Sequence, residues 1–103
     1  MVNGRTYASG RLEIYHDNVW GTICGKGFHR INANVACVQL GFYLGALSFG
    51  NNYGAGSGKI WLDNISCRGN EFQLWHCSSS DWGNNNCSHR EDVGVTCADG
   101  RPM

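Results

Sequence analysis

Asn32-Ala33-Asn34-Val35-Ala36-Cys37-Val38-Gln39-Leu40-Gly41 is the stretch from which the fold is read. Ala33, Ala36, Cys37 and Leu40 recur at helical spacing. Asn32 stands where an N-cap side chain accepts the first free amides, and Gly41 where a C′ glycine ends a helix. One helix over about 32–40 is expected.

The chain around that helix reads as β. Upstream, Gly10-Arg11-Leu12-Glu13-Ile14-Tyr15-His16 alternates, with Leu12 and Ile14 on one face and Arg11, Glu13 and Tyr15 on the other. Asp17-Asn18 supplies two residues that tolerate left-handed geometry, and Val19-Trp20-Gly21-Thr22-Ile23-Cys24 follows as a second β-rich run. A hairpin spanning 10–24 is expected. Downstream, residues 41–58 are rich in Gly, Asn and Ser and read as a long loop. Lys59-Ile60-Trp61-Leu62-Asp63 reads as a strand, Glu71-Phe72-Gln73-Leu74-Trp75 as a short second helix, and Val93-Gly94-Val95-Thr96-Cys97 as a closing strand. The sum is an α+β domain in which β dominates.

Six cysteines in 103 residues, four of them spaced ten apart at Cys67, Cys77, Cys87 and Cys97, set the compartment. A structural zinc site needs two thiolates two to four residues apart, and no Cys-x-x-Cys pair exists here. An even count in a small domain reads as a disulfide framework in an oxidising, extracellular setting, with fifteen pairings open to six cysteines. Eight basic and eight acidic residues cancel, which argues against a nucleic-acid binder working by bulk charge. No apolar run is long enough to span a membrane, and the N-terminus has no signal-peptide core, so a secreted origin implies a mature segment or an excised domain.

Motifs for catalysis fail on inspection. Gly56-Ser57-Gly58-Lys59 imitates the end of a phosphate-binding loop, but Tyr53 replaces its first glycine and Ile60 the magnesium-binding Ser or Thr. A nucleophile elbow at Ser57 fails because Ala55 and Lys59 occupy the flanking glycine positions. His16, His29, His76 and His89 show no i, i+4 pairing, so they read as surface or packing residues. Trp20, Trp61, Trp75 and Trp82 read as core or edge-packing residues. Asn64-Ile65-Ser66 fits the glycosylation pattern, as does Asn86-Cys87-Ser88, whose middle residue is a half-cystine candidate.

Taken together, Gly10–Ile14, Trp20–Cys24, Ala33–Gly41, Gly58–Asp63 and Asn86–Val95 resemble the scavenger receptor cysteine-rich family, over about residues 4–98, with 1–3 and 99–103 as flanking termini. The resemblance implies a curved β-sheet cradling one main helix, and the pairing Cys24–Cys87, Cys37–Cys97 and Cys67–Cys77. Family members with eight cysteines carry a further bridge at positions that here are Ala8 and Phe42. Losing both partners together places this chain in the six-cysteine group, with the C-terminal domains of macrophage class A scavenger receptors.

Family domains are binding modules without catalytic activity of their own, used for polyanions, microbial surfaces, modified lipoproteins and protein partners. Several bind calcium through acidic side chains. Carried over residue by residue, one such site falls on positions 25, 26 and Glu91, and a second on position 29, Asp63 and Asn86. Here Gly25 and Lys26 replace the two aspartates of the first, and His29 an aspartate of the second. The first site is therefore expected to be lost, with Lys26 pairing to Glu91 in place of an ion. The second keeps Asp63 and Asn86, with weak divalent binding tilted toward zinc by His29. No other cofactor is implied.

Two functional classes follow. One is an extracellular recognition module for polyanionic, microbial or protein ligands. The other is an accessory domain that scaffolds or targets a secreted enzyme such as a protease or amine oxidase. For the first, Lys26, Arg30 and Arg90, with His29 and His89 nearby, are the expected ligand-binding set, because a Cys24–Cys87 bridge brings their segments together. Their binding is expected to strengthen as pH falls through about 6.5, where imidazoles become cationic. Neither nucleic acid nor direct membrane insertion is expected.

Overall fold

The structure is a computed structural model that describes residues 8–79, 82–83 and 87–98. Along the described chain run β1 (Ser9–Arg11), β2 (Glu13–His16), β3 (Val19–Ile23), helix α1 (Arg30–Gln39), β4 (Ala46–Gly50), β5 (Lys59–Leu62) and β6 (Gly94–Cys97). Single 3-10 turns stand at Leu74–His76 and His89–Glu91.

The strand read over residues 10–16 is one extended run serving two sheets. Its first half, β1, pairs antiparallel with β6, and its second half, β2, pairs antiparallel with β3. Between them the Leu12 amide donates to the Val93 carbonyl at 2.9 Å, so the ladder passes from one sheet to the other without orphaning a buried donor. The curvature expected of the sheet is realised as two three-stranded sheets, in the orders β1-β6-β4 and β2-β3-β5.

The hairpin closes as its sequence dictates. Asp17 and Asn18 take φ of 52° and 65°, the paired left-handed geometry of a type I′ turn, whose twist matches the flanking strands. Tyr15 then faces Trp20, and Glu13 faces Thr22. Leu12, Ile14 and Ile23 point the other way into the core.

Helix α1 starts earlier than Asn32. His29 is the extended residue before the first turn, and Asn32 lies inside the helix, 2% exposed. Its amide donates to the Ile65 carbonyl at 2.9 Å and its oxygen accepts the Cys67 amide at 3.1 Å. A short polar side chain just before an apolar stripe serves a cap or a buried cross-link equally well, and here tertiary contacts decide for the second. The C-terminus matches its signal. Gly41 has φ +94°, its amide reaches the Val38 carbonyl at 3.0 Å, and the Phe42 amide reaches Cys37 at 2.8 Å, a Schellman closure.

The loop expected over 41–58 contains a strand. Both backbone polar groups of Ala46 are held by α1 side chains, its amide by Asn34 Oδ1 at 2.8 Å and its carbonyl by Arg30 Nη1 at 2.8 Å. That grip starts β4, which then pairs with β6. The expected second helix at 71–75 is a single 3-10 turn over Leu74–His76, whose first amide is taken by Gln39 Oε1 at 2.8 Å. The closing strand sits centrally, between β1 and β4.

The bridges are Cys24–Cys87, Cys37–Cys97 and Cys67–Cys77, at sequence separations of 63, 60 and 10. Cys37 and Cys97 are buried within a core of Ile23, Val35, Leu62, Val93 and Val95. Burying each of those aliphatic side chains contributes about 1.5–3 kcal/mol. Of the tryptophans, Trp61 is in that core, whereas Trp20 is 61% exposed and Trp75 is also exposed, contrary to the packing role read for them.

Candidate recognition surface around the Cys24–Cys87 bridge

Two segments meet at the end of β3. Cys24 pairs with Asp92 as an isolated antiparallel bridge, and the Gly25 amide donates to the Glu91 carbonyl at 2.6 Å. A side chain at position 25 would meet the Glu91 carbonyl and Val93 Cβ at 3.0 Å, so glycine is what lets the strands approach this closely. Lys26, on the turn that follows Gly25, and Arg90, in the 3-10 turn that ends at Glu91, flank this contact. Both are exposed, and neither forms an ion pair among the described residues.

The other expected ligand-binding residues are placed less openly. Arg30 lies over the Phe49 ring with its guanidinium on the Ala46 and Leu47 carbonyls, so its charge is displayed but its geometry is fixed. His29 is exposed at the helix start. His89 turns inward: Nδ1 meets the buried Asp92 carboxylate at 2.8 Å and Nε2 the Gly58 carbonyl at 3.0 Å. Both partners are acceptors, so the doubly protonated ring satisfies both at once. The Asp92 hydrogen bond raises the His89 pKa, against an opposing contribution from burial, with the Gly58 carbonyl adding to the rise and the Arg11 charge reducing it.

The cation positions carried over from the family are rearranged. Glu91 does not pair with Lys26: its Oε1 accepts the Ser88 amide at 3.2 Å within a capping box that closes the 3-10 turn. With Gly25 and Lys26 beside it, the first position offers one engaged carboxylate, which does not fit a calcium ion's need for six to eight oxygens. Asp63 is buried and its Oδ1 accepts the Asn64 amide at 2.8 Å. Asn86 lies outside the described residues. Among the described residues, two sets of three potential ligand atoms lie within 4.8 Å of one another, Cys24, Cys87 and Glu91, and Cys67, Glu71 and Cys77. In both the sulfurs are joined to each other, leaving one carboxylate apiece.

Asn64 is exposed on a turn with φ +54°, two residues before Ser66, which pairs through its backbone with Ser78.

A model of the scavenger receptor cysteine-rich domain matches residues 2–98. The chain belongs to that family. It is 53% identical over 90 residues to the macrophage receptor MARCO of Mus musculus, a match covering 86% of this chain and 17% of that protein. It is 50% identical over 99 residues to lysyl oxidase homolog 3A of Danio rerio, covering 94% of this chain and 13% of that protein. The chain therefore spans under a fifth of the length of these curated relatives. Among solved structures, the dimeric form of the mouse MARCO scavenger receptor cysteine-rich domain superposes with a TM-score of 0.77 at 52% identity, covering 87% of this chain and 86% of that one. The third such domain of murine neurotrypsin superposes with a TM-score of 0.85 at 41% identity, covering 94% and 92%. The family's α+β disulfide-rich fold and its three-bridge pairing hold in this chain.

Sequence reasoning reached Lys26 and Arg90 through the family's disulfide pairing. It missed that Arg30 and His89 are held by backbone carbonyls, because no local pattern announces a partner sixteen or thirty-one residues away.

Proposed function

We propose that this domain is an extracellular recognition module that binds polyanions through the corner built by Lys26 and Arg90, with Arg30 and His29 flanking. The observation that carries the reading is the Gly25–Glu91 contact beside the Cys24–Cys87 bridge, which brings together the two segments that bear the exposed Lys26 and Arg90. Neither side chain is held in an ion pair among the described residues, which leaves both open to an external anion, Arg offering a forked donor and Lys a point charge. Because no calcium fits among Gly25, Lys26 and Glu91, binding does not run through a bridging cation at that position. Asp63 and Asn86 remain the pair for any residual weak divalent binding, and Asn64 the glycan acceptor.

Heparin binding by surface plasmon resonance, with EDTA present and across salt concentrations, tests the reading. Lys26→Ala/Arg90→Ala should lose affinity several-fold and show a shallower salt dependence. Binding that EDTA abolishes, or that the double variant keeps in full, overturns it.

The likeness to lysyl oxidase homolog 3A supports a second reading, an accessory domain beside an enzyme. Sequencing the full transcript distinguishes them: an adjoining catalytic domain favours the second, a stalk and membrane anchor the first.

A further inference from the structure

The outer face of the β2–β3 hairpin carries Glu13, Tyr15, Trp20 and Thr22, and the 55–57 loop stands against it. Between them lies an open cleft of about 410 Å³ lined by Arg11, Glu13, Trp20, Gly21, Ala55, Gly56 and Ser57. That volume is within the range of small-molecule sites, about 300–1,000 Å³.

Its walls are fixed. The Gly56 amide is anchored at 2.7 Å on Oδ2 of Asp92, whose side chain is fully buried. A Cβ at position 56 would strike Thr22 Cγ2 at 2.7 Å, so the loop lies directly on β3. Opposite, the Trp20 ring is 61% exposed yet braced by Tyr15, ring centroids 5.3 Å apart and tilted by 58°.

The floor is polar and formally neutral. Arg11, its side chain 10% exposed, places Nε at 3.1 Å and Nη2 at 3.0 Å from Glu13 Oε2. Its Nη1 is buried, with no hydrogen-bond partner among the described residues. Glu13, at its rim, adds a carboxylate acceptor, and Ser57 a hydroxyl that donates or accepts.

We infer that this cleft is a subsite for a neutral saccharide ring, seated against Trp20 with its hydroxyls on Glu13, Arg11 and Ser57. The chemistry favours this class over a polyanion. Arg11 and Glu13 cancel, so the cleft offers no net positive charge, while an exposed indole beside alternating donors and acceptors matches a ring with an apolar face and a hydroxyl rim. The site is distinct from the Lys26–Arg90 corner in residues and in charge.

The test is an NMR titration of the ¹⁵N-labelled domain with methyl glucoside, methyl galactoside, methyl mannoside and N-acetylglucosamine, in EDTA and at 0.5 M salt, which suppresses polyanion binding. At least one of these should shift the Trp20 indole resonance together with the Gly56 and Ser57 amides. Trp20→Ala should weaken that binding roughly three- to tenfold and Trp20→Phe should restore most of it. Trp20 is exposed, so both variants should keep the dispersed spectrum of the folded domain. Lys26→Ala/Arg90→Ala should leave the response unchanged, which separates failure of this site from failure of the basic corner. Dextran, and a glycoprotein before and after enzymatic deglycosylation, then distinguish a free polysaccharide from a protein-borne glycan. The inference is overturned if none of the pyranosides moves these resonances, if only heparin does, or if Trp20→Ala binds as the wild type does.

Discussion

The two long bridges have almost the same span, 63 residues for Cys24–Cys87 and 60 for Cys37–Cys97, yet they sit in opposite surroundings. Cys37–Cys97 joins the helix to the central strand β6, and both of its cysteines are buried in the core. Cys24–Cys87 begins in the core at Cys24 and ends at the partly exposed Cys87, beside the Lys26–Arg90 corner. In the chain-entropy account bridges of equal span restrain the unfolded state equally, so any difference between them comes from the folded side. One bridge belongs to packing and the other to presentation.

The sharpest way to break that contrast is to remove each bridge in turn. Cys37→Ala/Cys97→Ala should lose about 4 kcal/mol of restraint and, in addition, the packing of two buried sulfurs, leaving the domain unfolded or molten at 37 °C. Cys24→Ala/Cys87→Ala should lose a similar restraint but less packing, so it should melt higher than the first variant while losing heparin affinity. Calorimetry of the two proteins side by side decides: equal melting, or heparin binding kept by the second, erases the distinction.

A smaller effect sharpens the packing side. Asn32→Ala leaves the Ile65 carbonyl and the Cys67 amide without their partner inside the protein, and should cost about 1–3 kcal/mol in urea unfolding. A loss below about 0.5 kcal/mol would place Asn32 outside the structural core after all.

On the presentation side, Lys26→Ala/Arg90→Ala should leave melting within about 0.5 kcal/mol of wild type, since exposed and unpaired charges contribute little to folding.

The smallest effect is a pH dependence through His89. Its pKa is raised in the folded state, so the stability it contributes is complete below the ordinary imidazole value of 6.5 and is lost as pH rises through the folded value. Thermal melting should therefore fall modestly from pH 6 to above pH 7, and His89→Gln should flatten that slope. A slope of opposite sign, or one that His89→Gln leaves intact, removes His89 from the account.

What was legible in the sequence divides along similar lines. Features encoded by neighbours in the chain were readable: the Asp17-Asn18 turn, the glycine closure at Gly41, and the alternation that turns Leu12 and Ile14 inward. The cysteine pairing was readable only through family likeness, because spacing leaves every pairing open. Features that depend on a distant partner were not readable. β4 exists because Asn34 and Arg30 seize Ala46, Asn32 is buried because the 65–67 segment needs its amide, and His89 turns inward because Asp92 and Gly58 receive it. At the candidate surface, the sequence located the basic side chains. Which of them stay at liberty to meet a ligand was decided by carbonyls far along the chain.

The pairing of Ser9 with Thr96 has a mechanical consequence. The two ends of the domain leave side by side, so tension applied through its neighbours pulls β1 away from β6 one rung at a time, as a zip opens, rather than shearing all rungs together. The opening is bounded by covalent bonds. Once β1 has peeled away, the shortest path between the ends runs from residue 9 to Cys24, across to Cys87 and on to residue 97. Only about 25 residues can then straighten, roughly 85 Å of extension. The Cys37–Cys97 bridge runs in parallel with that path, so the segment from Cys24 to Cys37, with most of the helix, shares the load, and the chain between Cys37 and Cys87 lies in a covalently closed loop outside it. A domain wired this way yields early under tension and then stops, a leash of fixed length in any longer chain that carries it.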